Sequence, residues 1–130
     1  MLGRAALIAM LMLVAGAAHA GTLPLAERAE IESLLSRIEA SACRFKRNGS
    51  WHAPAEARAH LQRKLDYLQG KGAVASAEQF IERAATRSSI SGQAYSVQCG
   101  SQAPQPSGEW LFGQLQQLRA VSRPVAISPR

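Results

Sequence analysis

The chain has 130 residues, of which 47% are hydrophobic, 18% charged and only 5% aromatic. That size allows one small domain and excludes a large multi-domain enzyme. Lys and Arg outnumber Asp and Glu by 15 to 9, giving a net charge of +6 at pH 7, so an anionic partner fits the balance better than a cationic one.

Residues 1–20 carry Arg4, an apolar run from Ala5 to Gly16 and the small-residue triplet Ala18-His19-Ala20. This is the three-part layout of a secretory signal peptide, with cleavage expected after Ala20. The apolar run is about a dozen residues, short of the roughly twenty that span a bilayer, so no membrane anchor is expected to remain after cleavage. Gly21 follows the expected cleavage point, and without a cysteine there nothing suggests a lipid-modified N-terminus. The expected location is the periplasm, reached by secretion through the cleaved signal peptide.

From Leu25 to Ala42 the apolar residues Ile31, Leu34, Leu35, Ile38 and Ala42 fall at helical spacing behind Pro24, which predicts an amphipathic helix. Glu27, Glu30 and Glu32 sit early in it, where acids suit the positive end of a helix dipole. They read as helix chemistry, not as a site. Cys43 and Phe45 then alternate with Arg44 and Lys46, and Asn48-Gly49 follows. That pair readily turns a hairpin, so two very short strands are predicted over 43–52.

After Pro54 a second helix is marked by Ala57, Leu61, Leu65 and Leu68 and stops at Gly70 and Gly72. Ser76 with Gln79 forms a capping box for a third, shorter helix bearing Phe80, Ile81 and Ala84. Ser88 to Gly92 is small and polar, a loop. Tyr95 to Cys99 alternates again as a strand, and Gly100 to Pro106 reads as a linker. Ser107 is expected to cap a last helix lined by Leu111, Leu115 and Leu118. From Ser122 to Arg130 no apolar period remains, so 122–130 is expected to be a disordered tail behind a single domain over 21–121.

Export sends Cys43 and Cys99 into a compartment where disulfides persist, and two cysteines allow one intramolecular bond. Closing a loop of about half the mature chain contributes on the order of 4 kcal/mol in the chain-entropy model. A redox-active pair lacks the usual close cysteine spacing. Two cysteines with His52 and His60 also lack the paired spacings of zinc sites, and no metal or cofactor is expected. Cys43 opposite Cys99 in antiparallel pairing sets Phe45 against Val97, whereas parallel pairing sets it against polar Ser101. Antiparallel pairing is the better fit. It also carries the Asn48-Gly49 turn beside the Ser88–Gly92 loop.

That meeting point gathers Arg47, Asn48, Arg87, Ser88, Ser89 and Ser91, a candidate surface for an anion held by charge-assisted hydrogen bonds. The plainer reading is that the serines and glycines satisfy turn geometry while the arginines face water. For catalysis the sequence offers Glu56 and His60, four apart on the second helix, with Lys64 extending the stripe. Glu56 there would orient His60 as a general base; an exposed helix pair is the plainer alternative. No nucleophile elbow, zincin motif, P-loop or dinucleotide fingerprint occurs.

Residues 44–71 concentrate Arg44, Lys46, Arg47, Arg58, Arg63, Lys64 and Lys71 against Glu56 and Asp66, with Trp51 and Tyr67 interleaved. Secretion makes nucleic acid an unexpected partner and favours an anionic envelope component or another periplasmic protein. Arg58, Arg63 and Lys64 are expected at different azimuths of their helix, forming no single stripe. Trp51, Trp110 and Phe112 are expected to pack a small core.

The run Cys43-Arg44-Phe45, then Arg47-Asn48-Gly49, His60-Leu61, Lys64, Phe80-Ile81-Glu82, Arg87-Ser88-Ser89, Ser91-Gly92, Tyr95, Val97 and Cys99 resembles a family of small secreted bacterial proteins of unknown function, YfeK-like. The resemblance covers about residues 25–119. It implies a Gram-negative periplasmic protein and brings no activity, cofactor or catalytic residue with it. The expected fold is α+β, four helices against a short antiparallel sheet of two to three strands with one disulfide. The expected role is a small non-enzymatic binding or interaction module of the cell envelope. A small hydrolase or transferase acting on an envelope component is one alternative, and a structural or stress-related envelope protein without ligand is another.

Overall fold

A computed structural model describes residues 22–122. The expected signal peptide over 1–20 lies outside the described residues, as does the expected tail apart from Ser122. The elements run α1 (Leu25–Ala40), β1 (Cys43–Arg47), β2 (Ser50–His52), α2 (Pro54–Gly70), α3 (Ala77–Ala84), β3 (Ser96–Cys99), β4 (Gln105–Pro106) and α4 (Ser107–Ser122). The fold is α+β, as expected, with four strands instead of two or three.

The helices form because their apolar residues recur once per turn and need one common partner. Ile31, Leu34, Leu35 and Ile38 of α1 are fully buried at the centre, with α2, α3 and α4 all packed against this helix. Leu61 and Leu65 of α2, Phe80 and Ile81 of α3, and Leu111 and Leu115 of α4 complete the helical side of the core. Ser76 accepts the Gln79 N–H at 3.1 Å, while the Gln79 carboxamide accepts the Ala75 N–H at 2.8 Å. The expected capping box therefore forms with its return bond shifted back by one residue. Glu27 caps a different helix from its own: its carboxylate accepts the Ala77 N–H at 2.7 Å at the start of α3.

The sheet order is β2-β1-β3-β4, antiparallel throughout. Cys43 pairs with Cys99 and Phe45 with Val97, the register that the alternation predicts, and the disulfide joins Cys43 to Cys99. Cys43, Phe45 and Val97 face the core. On the opposite face Arg44 donates to the Gln98 carboxamide at 3.1 Å. Trp51 stands opposite Lys46 on that outer face, with Arg44 5.3 Å and Lys46 5.7 Å from its ring centre. Trp51 therefore serves a cation–π stack on the sheet surface, not the core as expected. Trp110 does pack inward, edge-on to Phe45 at 5.8 Å.

Two expectations at the start of α4 change. Gln105 and Pro106 pair with Val97 and Ser96 as a fourth strand, tolerable for a proline because this is a sheet edge. Ser107 does not cap: it is the first helical residue, only 4% exposed, and its hydroxyl has no hydrogen-bond partner. Behind it Gly108 lies so close to Thr86 that an added Cβ would stand 2.9 Å from the threonine hydroxyl.

Candidate functional site

The site begins with a turn. Asn48 and Gly49 adopt φ of 49° and 83°, the left-handed pair that joins two strands with matching twist. The β1–β3 register lays this turn against the loop after α3. The Ser91 hydroxyl donates to Asn48 Oδ1 at 2.7 Å, and Asn48 Nδ2 donates to the Ser88 hydroxyl at 3.4 Å. Ser88 is 5% exposed and also accepts the Ile90 and Ser91 N–H groups at 3.3 and 3.2 Å. The loop closes on itself through Ser88 N–H to the Gln93 carbonyl and Gly92 N–H to the Ser88 carbonyl, both 2.9 Å. The Ser88 and Ser91 hydroxyls are thus engaged in shaping the loop, as the turn-geometry reading has it.

Beside this clamp lies a groove of about 420 Å³. Arg47 enters it from β1, Tyr95 from the foot of β3, Arg83 from α3, and His60, Arg63, Lys64 and Tyr67 from α2. The α2 residues fall at i, i+3, i+4 and i+7, one face of a helix. Arg63 and Lys64 thus share a stripe, contrary to the azimuth expectation, while Arg58 turns away to Glu32 and Glu39. Asn48, Ser88 and Ser89 line the rim. Arg87 does not line the groove; its carbonyl accepts from Lys64 at 3.0 Å.

The hydrogen-bond order inside the groove follows from charge. Arg47 sits 2.7 Å from His60 Nδ1, and since a guanidinium only donates, Nδ1 is the acceptor. The neutral ring then carries its proton on Nε2 and donates it to the Tyr95 hydroxyl oxygen at 3.2 Å. Lys64 Nζ donates to the same oxygen at 3.2 Å, which leaves the Tyr95 O–H free as a donor. Burial, with Arg47, Lys64 and Arg63 nearby, holds the His60 pKa down at about 4. Burial and Arg47 lower the Lys64 ammonium, and burial raises the Tyr95 phenol.

No carboxylate among the described residues lines this groove. Four acids are held elsewhere: Arg58 holds Glu32 and Glu39, and Arg119 holds Glu30 and Glu78. Arg119 also keeps the Glu78 carboxyl below the usual carboxylate range. The groove therefore concentrates positive charge and hydrogen-bond donors with no internal counter-ion, the arrangement that favours an anion.

The expected Glu56–His60 pair does not form. Glu56 bonds His52 Nδ1 at 3.0 Å, and both nitrogens of His60 go to Arg47 and Tyr95. The local i,i+4 spacing loses to strand β1, which delivers Arg47 to the ring. His60 thus lacks the carboxylate that would orient it and raise its basicity for work as a general base. Glu56 and His60 do border a narrow apolar slot of about 40 Å³, on whose wall Ser107 sits. Among the described residues no three His, Cys, Asp or Glu side chains converge as metal ligands, and no helix is long and apolar enough to cross a membrane.

Residues 25–119 match a family described as a family of unknown function (DUF5329). The chain belongs to that family. No curated protein and no solved structure matches the chain in the comparisons made.

Of the six expected surface residues, Arg47, Asn48, Ser88 and Ser89 do meet at the groove, while Arg87 and Ser91 do not line it and bond to Lys64 and Asn48, which do. Sequence reasoning missed Arg63, Tyr95, Arg83 and Tyr67 as groove residues. The signal was present in the 60, 63, 64, 67 spacing, a polar stripe beside the apolar one.

Proposed function

We propose that this member of the unknown-function family is exported through a cleaved signal peptide and works in the bacterial periplasm, as YfeK-like secreted proteins would. There it binds an anionic component of the cell envelope without catalysing a reaction on it. The observation that carries this reading is the groove in which Arg47, Arg63, Lys64, Arg83 and Tyr95 converge with no carboxylate. Such a site gains an ion pair on binding without first breaking an internal one. The apolar leader and the Cys43–Cys99 disulfide support an oxidising compartment.

The test is retention of the purified, oxidised mature chain on envelope fractions of a Gram-negative cell. The expected result is binding at low salt, release as salt is raised, and loss of binding in the Arg47→Gln, Lys64→Gln double variant. Equal retention of wild type and variant, or no retention at low salt, overturns the reading.

A further inference from the structure

The rim of the groove carries a feature that anion binding alone leaves unused. Ile90 stands at the tip of the clamped loop with 98% of its surface exposed, and Tyr67, which also lines the groove and carries Lys71 4.8 Å from its ring centre, is 62% exposed. Loop tips are normally polar, and this one is not free to fold its isoleucine away. Ser88 accepts the Ile90 N–H itself, and Asn48 ties the loop to the β-turn. An aromatic and an aliphatic side chain held out beside a cationic groove is the combination that seats a protein at a bilayer interface, where tyrosine favours the headgroup level and basic residues the anionic surface.

The groove's own chemistry narrows the headgroup. Arg47, Arg63, Arg83, Lys64 and the Tyr95 hydroxyl all donate. The stronger acceptors nearby are taken: His60 Nδ1 by Arg47, Asn48 Oδ1 by Ser91, and the Ser88 oxygen by Asn48 and two backbone N–H groups, which leaves the Ser89 and Tyr67 hydroxyls. For a protonated anion the groove offers no carboxylate and no free ring nitrogen, only neutral hydroxyls, to accept its proton. A phosphodiester carries none and remains a full anion across the physiological range.

Resting on the anion-binding reading above, we propose that this surface docks on anionic phospholipid, the groove taking a headgroup phosphodiester while Ile90 and Tyr67 enter the interface. The chain then lies on the membrane without spanning it.

The test uses the oxidised mature chain with two probes. One is dimethyl phosphate in solution, followed by the amide shifts of Asn48 and Ser88 to Gly92. The other is sedimentation with vesicles of phosphatidylcholine alone or with about a third phosphatidylglycerol. Wild type is expected to bind the mixed vesicles and not the neutral ones. Ile90→Ser is expected to weaken vesicle binding by about tenfold, from the apolar area it no longer buries, while dimethyl phosphate binding, read at the Asn48 amide, is retained. Arg63→Gln with Lys64→Gln is expected to lose both. Dimethyl phosphate binding without any preference for mixed vesicles overturns membrane docking and leaves the groove reading standing, as does Ile90→Ser sedimenting like wild type. Failure of both probes overturns both readings.

Discussion

His60 makes the stability of this fold depend on pH in a window set by the groove. In the unfolded chain the ring binds a proton near pH 6.5, whereas in the folded protein it does so only near 4, because burial and the cations Arg47, Lys64 and Arg63 oppose its charge. Between those values the unfolded state holds more protons, so stability is fully present above pH 6.5 and is lost as pH falls toward 4. At about 1.36 kcal/mol per pKa unit the full shift corresponds to about 3 kcal/mol. The ring is only partly enclosed, so solvent screening reduces this to about 1–2 kcal/mol. His60→Gln supplies an acceptor to Arg47 and a donor to Tyr95 but does not titrate. Urea unfolding of both proteins from pH 7.5 to pH 4 isolates the imidazole, since the carboxylates titrate alike in each. The wild type's advantage over His60→Gln is expected to shrink by about 1–2 kcal/mol over that range. An advantage that is constant, or that grows on acidification, refutes the donor and acceptor order deduced for Arg47, His60 and Tyr95.

The disulfide closes a separation of 56 residues, so Cys43→Ser with Cys99→Ser is expected to lower the unfolding free energy by about 4 kcal/mol in the chain-entropy model; a loss under about 1 kcal/mol in urea melts contradicts it. Two glycines of α4 are expected to respond in opposite directions. Gly108→Ala collides with Thr86, whose hydroxyl is held by the Ile81 carbonyl at 2.7 Å, and should cost about 1–3 kcal/mol. Gly113→Ala meets open space and should stabilise by about 0.5–1 kcal/mol, both read from thermal midpoints. Asn48→Gly keeps the turn but removes its bonds to Ser88 and Ser91. Hydrogen exchange at Ser88–Gly92 should then speed up while the β1–β3 amides stay protected, and unchanged loop exchange argues against the clamp.

What was legible in the sequence followed from short periods. Cys43 with Phe45 and Val97 with Cys99 each share a strand face, and the covalent bond between their ends leaves one antiparallel register, which then places the Asn48 turn by the Ser88 loop. The four helices were legible because each repeats an apolar residue every turn. Gln105–Pro106 escaped notice because a two-residue edge strand has no alternation to detect. Its pairing is set by Val97 and Ser96 in a strand already formed. The site was only half visible for a similar reason. Helical spacing shows that Glu56 and His60 are neighbours, but not which element covers that face. The hairpin does, and it brings Arg47 to His60 Nδ1 while His52 at its end captures Glu56. Trp51 departs from expectation because its size suggests burial, whereas Arg44 and Lys46 on the same sheet face offer it a surface partner.

The most direct measurement is the imidazole titration of His60 by heteronuclear NMR, with and without saturating dimethyl phosphate at constant ionic strength. The free protein should show a pKa of about 4. An anion seated among Arg47, Arg63 and Lys64 should move it up toward the ordinary histidine value, because binding and protonation favour each other reciprocally. A free ring that titrates near 6.5, or a depressed one that the anion leaves unmoved, would contradict a groove built to receive negative charge.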